Sequence, residues 1–131
     1  MVNAVLDSSV LLAIINREPK HELAFNLLPN SIISSVIFAE TYGIIISKYN
    51  VPQKDALQML KQMISDTIPF NEDQAIINGQ IEIINRKNKY GLSLADKSCI
   101  ALGIYMKLPI YTADRIWAKL DILGANIKEI G

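Results

Sequence analysis

The chain is nearly devoid of the residues that make covalent or soft-metal staples, with one cysteine and one histidine among 131 residues. A disulfide within the chain needs two thiols, and the usual structural zinc sets need several cysteines or histidines, so both are excluded. Net charge is also missing, because 13 basic side chains balance 13 acidic ones. Any nucleic-acid contact must therefore come from local basic patches or bound cations, not from a field of one sign. The first apolar run has no basic residues ahead of it and is broken at Asp7. Neither a signal peptide nor a transmembrane helix is expected, and the protein is expected to be soluble and cytoplasmic, with no membrane partner. No GxxxxGK[ST] segment occurs, which excludes the usual phosphate-cradling nucleotide switch. Internal repeats, low-complexity tracts and linkers are absent as well.

What the chain has in quantity is apolar residues, 50% of the total. A single domain of this length buries about two thirds of its unfolded surface and needs no staple. The apolar share is nevertheless high for a small monomer, so part of it is expected to meet a partner, with Phe38, Tyr42 and Trp117 as candidates. Cys99 reads as a packed small apolar residue.

The stretch over 92–117 organises the rest. Ser93 suits an N-cap and Asp96 follows three positions later. Ala95, Cys99, Leu102 and Met106 form a buried helical stripe, with Asp96, Ile100, Gly103 and Ile104 on the adjoining face. About thirteen helical residues carry the chain roughly 20 Å. A reversal at Lys107 to Pro109 and a strand over 109–112 bring it back. Asp114 thus arrives at the same end as Asp96.

Upstream, 2–6 reads as a buried strand ending at Asp7, which can cap a helix through Val10, Leu11, Ile14 and Ile15 that Pro19 closes. A short helix follows over 20–28 with Leu23, Ala24 and Leu27 inward, then a strand over 31–34. The apolar run over 35–49 is long enough to be a helix. A helix opened by Val51 and Pro52 turns Ala56, Leu57, Leu60 and Ile64 inward. Residues 67–70 are extended, and a helix over 72–86 turns Ala75, Ile76, Ile83 and Ile84 inward. A short helix over 115–120 and a strand over 126–130 complete the chain. Strands alternating with helices predict one α/β domain over 1–131, built on a mainly parallel sheet.

Four acids interrupt apolar or junction sequence: Asp7, Glu40, Asp96 and Asp114. In a parallel α/β sheet the strand-to-helix junctions share the carboxyl edge, where ligands bind. Asp7, Asp96 and Asp114 each also stand where an aspartate caps a helix. Capping does not account for Glu40, which lies past the first turn of an apolar helix, where an unpaired carboxylate is costly. Oxygen ligands without histidine or cysteine select Mg²⁺ or Mn²⁺, and Mg²⁺ completes its shell with waters and substrate phosphate. Phosphodiester hydrolysis follows as the matching chemistry. Ser8, Ser9 and Thr112 can orient carboxylates or waters, or cap local backbone. Converging carboxylates would also repel one another, so at least one should have a raised pKa.

The segments VLDSSVLLAIINREP, ISSVIFAE, GLSLADKSCIALG and LPIYTADRIWAKL resemble, in order and over nearly the whole chain, the PIN domains of VapC-type toxins. The resemblance implies about five strands flanked by helices and a Mg²⁺-dependent endoribonuclease, the toxin of a type II toxin-antitoxin pair. It also implies a homodimer and a VapB-like antitoxin. The family's acids fall on Asp7, Glu40, Asp96 and Asp114, and its hydroxyl after the first acid on Ser8 or Ser9. Some branches carry one more acid two residues after the fourth; here that position is Ile116. Candidates for contact with the RNA substrate are Arg86, Lys87, Lys89 and Arg115, which otherwise read as solvated helix ends. Two alternatives remain: a non-catalytic PIN-like module that binds RNA or protein, and a receiver-like signalling domain with an acidic pocket. Phosphatases with an aspartate nucleophile need a second aspartate where Ser9 stands.

Overall fold

A computed structural model describes residues 3–130. Among the described residues, five strands alternate with three pairs of α-helices and one 3-10 turn. Strand β1 (Ala4–Leu6) leads into α1 (Ser8–Ile15) and α2 (His21–Leu27). Then come β2 (Ser31–Ser34), α3 (Ser35–Tyr49), α4 (Gln53–Met63) and β3 (Asp66–Ile68). Helices α5 (Glu72–Asn88) and α6 (Leu94–Met106) form a pair, followed by β4 (Ile110–Thr112), a 3-10 turn (Trp117–Lys119) and β5 (Ile127–Glu129). The expected elements are all present, with ends displaced by a few residues; Val2, expected in the first strand, lies outside the described residues.

The strands are parallel in the order β3-β2-β1-β4-β5. Strand β1 is central, with Val5 opposite Ile32 on one side and Ile110 on the other. From β1 the chain winds outward through β2 and β3, then crosses back to build β4 and β5. The reversal falls between β1 and β4, which opens a crevice beyond their carboxyl ends. Asp7 immediately follows β1 and Thr112 ends β4, so both stand at that crevice. A receiver domain has a different strand order, 2-1-3-4-5, so the receiver-like alternative is ruled out by topology.

Local chemistry sets the helix ends. The Ser34 side chain accepts from the N-H of Val36 (3.1 Å) and opens α3, and Asn71 accepts from Gln74 (2.9 Å) and opens α5. Helix α6 opens with a capping box, Ser93 Oγ accepting from Asp96 N-H (3.1 Å) and Asp96 Oδ2 from Ser93 N-H (2.9 Å). At Gly103 the helix lies directly on β4: an added Cβ would stand 2.2 Å from Ile110 Cγ1. The core runs from Val5, Leu6, Val10 and Leu11 through Ile32, Ile33 and Ile37 to Cys99, Ile100, Leu102 and Ile110.

Several inward faces differ from the sequence reading. Leu23 and Leu57 are exposed: α2 turns Ala24 and Leu27 to the core, and α4 turns Ala56 and Leu60 with Met59 and Met63, which leaves both leucines off the packed face. Met106 is exposed in the last turn of α6, just before Lys107 turns left-handed. Helix α5 is rotated: Gln74, Asn78, Ile81 and Asn85 are buried, whereas Ala75 and Ile76 are exposed and Ile83 is 70% exposed. Trp117 is buried in the core and is not a surface anchor. Phe38 and Tyr42 stay partly exposed and stack with ring centroids 6.1 Å apart.

Candidate functional site

Asp7 is drawn in by its strand. Its N-H bonds to Tyr111 O (3.0 Å), which continues the β1–β4 pairing, and the residue is only 4% exposed. Although it occupies the N-cap position of α1, its carboxylate makes no cap bond. Ser9 Oγ (2.7 Å) and Thr112 Oγ1 (3.1 Å) both donate to Oδ2 instead. Oδ1 is buried and has no hydrogen-bond donor. Burial pushes the Asp7 carboxyl above its ordinary 3.8; the hydrogen bond from Ser9 opposes this, the negative charge of Asp96 adds to it, and Thr112 and the backbone of Ser8 oppose it further.

The two serines after Asp7 diverge. Ser8 Oγ donates to Glu40 Oε1 (2.7 Å), so the carboxylate inside α3 has a partner across the sheet edge. Ser9 Oγ also accepts from the N-H of Ala113 (2.9 Å), and Thr112 Oγ1 from that of Asp114 (3.0 Å). These bonds fasten the turn after β4 to α1. Asp114 itself is exposed, and its Oδ1 accepts from Ile116 N-H (2.8 Å) in a local turn.

Cys99 reports on the cluster from below. Its Sγ donates to Leu6 O (3.6 Å), and burial raises its pKa well above the usual value, with the negative charges of Asp7, Asp96 and Glu40 adding to the effect. Three acids from three elements therefore act on one point under the β1 edge. Asp7, Glu40 and Asp96 lie on three elements near enough for their charges to reach Cys99, and Thr112 bonds both the Asp7 carboxylate and the N-H of Asp114. Both Asp96 and Asp114 also form the local cap or turn bonds expected of an aspartate at these positions.

A hard cation suits this donor set. All the donors are carboxylate or hydroxyl oxygens, no ion pair involves the four acids among the described residues, and Asp7 keeps one buried oxygen unpartnered. Asp7, with its unpartnered oxygen, is the residue that would anchor Mg²⁺ or Mn²⁺, with Glu40, Asp96 and Asp114 as the further carboxylates at the same edge. Among the described residues, no three His, Cys, Asp or Glu side chains are grouped closely enough to hold an ion. Waters and substrate phosphate would have to complete the shell, as Mg²⁺ favours.

The basic candidates divide. Arg86 is tied to Glu82 by Nε to Oε2 (3.1 Å). Lys87, Lys89 and Arg115 are exposed and form no ion pair among the described residues. Lys97, next to Asp96, went unnoticed in the sequence; it is buried and pairs with Glu82 Oε1 (3.1 Å). The signal that could have found it is a lysine set in the apolar stripe between Ala95 and Cys99. No described helix is long and apolar enough to cross a membrane.

A family model described as PIN domain matches residues 4–123. Comparison with curated protein sequences gives no match. Among solved structures, the chain is similar to a chain of the DNA-bound VapBC of Salmonella typhimurium, with TM-score 0.76, 20% identity and both chains covered in full. It is similar to a chain of VapBC2 from Rickettsia felis bound to a promoter DNA fragment, with TM-score 0.74, 18% identity and 98% of each chain covered. It is also similar to Mycobacterium tuberculosis VapC20, a Sarcin-Ricin loop cleaving toxin, with TM-score 0.69 and 15% identity over 95% of this chain and 99% of that one. At these identities the likeness is one of fold.

Proposed function

The chain belongs to the PIN-domain family, and we propose that it is a divalent-cation-dependent endoribonuclease, the toxin of a two-protein toxin-antitoxin pair. The observation that carries this reading is Asp7: a buried carboxylate with one oxygen unpartnered, close enough to Asp96 to feel its charge. Such a group destabilises the fold unless a cation joins it.

Bound Mg²⁺ or Mn²⁺ would supply charge stabilisation at the phosphate and a water of lowered pKa. The chain's own groups do the rest. Ser9 and Thr112 fix Oδ2 of Asp7, leaving Oδ1 as its unpartnered oxygen. Ser8 steadies Glu40. Asp114 stands exposed at the mouth, and Lys87, Lys89 and Arg115 are the groups available for flanking phosphates. Single-stranded or loop RNA is the favoured substrate, because splayed bases and accessible phosphates suit a shallow acidic edge.

A VapB-like antitoxin is the proposed partner, supported by the VapBC complexes among the structural relatives. A homodimer is proposed on the exposed Ile76, Ile83, Leu94 and Ile116. Purified protein should cleave a loop RNA with Mg²⁺ or Mn²⁺ and not in chelator, and should sediment as a dimer at tens of micromolar. RNA binding without cleavage under any cation would favour a non-catalytic PIN module instead.

A further inference from the structure

We propose that Glu82, Asn85 and Lys97 are positioning residues for Asp96: they stand outside the acid cluster and fix the turn that carries its carboxylate. This rests on the reading of Asp96 as an acid of the nuclease site.

Helix α5 turns toward α6 a stripe that is polar where packing alone would favour apolar side chains. The helix has isoleucines to spare, since Ile76 and Ile83 are exposed. Burying the Asn78 and Asn85 amides and the Lys97 ammonium costs desolvation that aliphatic side chains avoid, so their bonds must be what the fold retains. Those bonds fall on the loop and first turns of α6. Asn78 Nδ2 donates to Ser98 Oγ (3.0 Å), which in turn donates to Leu94 O (2.8 Å). Asn85 holds Leu92 by both backbone groups, Oδ1 accepting its N-H (2.9 Å) and Nδ2 donating to its carbonyl (3.3 Å).

Asp96 is thereby held on both sides. Ahead of it, the clamped Leu92 precedes Ser93, whose N-H bonds Asp96 Oδ2 and whose Oγ accepts from Asp96 N-H. Behind it, Lys97 is anchored to Glu82. Glu82 links the two sides, since its Oε1 accepts from both Asn85 (2.8 Å) and Lys97 (3.1 Å) while Oε2 takes Arg86. Hydrogen bonds from Asn85, Arg86 and Lys97 hold the Glu82 carboxyl down to about 2, so it remains ionised at any working pH. The Lys97 charge is thus matched at Glu82, away from the site acids.

The test uses full-length protein carrying Asn85→Ala, Lys97→Met, Lys97→Arg or Arg86→Ala. Two readouts are taken without RNA: amide hydrogen exchange in metal-free protein, and Mn²⁺ affinity by calorimetry. Asn85→Ala should speed exchange at Ser93 and Asp96 about tenfold more than at Ile33 in the sheet, and weaken Mn²⁺ binding about tenfold, the scale for a group that orients a ligand. Lys97→Met should weaken Mn²⁺ binding comparably, Lys97→Arg should restore most of it, and Arg86→Ala, which removes only the exposed arm, should leave it unchanged. Exchange at Ser93 and Asp96 that rises no more than at Ile33 would reduce the network to general packing and overturn the proposal. If wild type binds no Mn²⁺ and cleaves no RNA while Asn85→Ala loosens the Asp96 turn selectively, the nuclease reading fails and the positioning of Asp96 stands.

Discussion

At Asp7 a cap position and a capping role are separable by the bonds made. The side chain caps nothing and is met by two hydroxyls on one oxygen and no donor on the other. Because its folded-state pKa is raised, its contribution to stability is fully present below the ordinary value of 3.8 and is lost as pH rises through the raised one, with no further change above. Glu82 has the opposite sign: its contribution is present above its ordinary 4.5 and disappears as pH falls toward about 2. Metal-free Asp7→Asn should therefore be more stable than wild type at neutral pH and should lack the decline on the alkaline side of 3.8. Wild type should gain roughly 1.4 kcal/mol from Mg²⁺ at ten times its dissociation constant, and the variant less. Thermal melts across pH, in chelator and in Mg²⁺, check this; a variant that melts lower in chelator and responds equally to Mg²⁺ would contradict it. The sequence showed which acids stand at the sheet edge, since strand ends and helix starts are legible from apolar pattern. It could not apportion Ser8 to Glu40 and Ser9 to Asp7, because that depends on where α3 approaches α1. Nor could it separate cap from site at Asp96, whose carboxylate makes a cap bond while its charge acts on Asp7.

Helix α5 is the element most misread, and the reason is physical. Hydrophobic periodicity assumes that the buried face is the apolar one, whereas here the buried face carries Gln74, Asn78 and Asn85 and the solvent face carries Ile76 and Ile83. Ile83→Lys should change the stability of the dilute protein by less than about 0.5 kcal/mol, whereas Ile81→Ala, fully buried, should cost roughly 2 to 5 kcal/mol. Denaturant unfolding of the two variants decides which face packs. Helix α6 was legible because its cap, length and closing reversal are local. Its approach to β4 was not, and it depends on Gly103. Gly103→Ala should lower stability by roughly 1 to 3 kcal/mol despite the better helix propensity of alanine, since the added methyl meets the buried Ile110 side chain. A higher melting temperature would show that this contact yields.

For the whole molecule, the strand order fixes where chemistry can occur. The reversal between β1 and β4 sets Asp7 and Thr112 side by side at a crevice, α3 brings Glu40 to Ser8, and α6 adds the charge of Asp96. An acidic edge of this kind on a chain with zero net charge has no general attraction for RNA, so the proposed nuclease needs a divalent cation to mediate between carboxylates and phosphate. The most direct measurement is cleavage of a synthetic stem-loop RNA by wild type, Asp7→Asn and Asp96→Asn, first with Mg²⁺ or Mn²⁺ and then in excess chelator, with binding followed on the same RNA. Wild type should cleave only with the cation, and each variant should lose about 100-fold or more in rate while still binding RNA. Cleavage that persists in chelator, with both variants as active as wild type, would contradict a cation-dependent nuclease centred on Asp7 and Asp96.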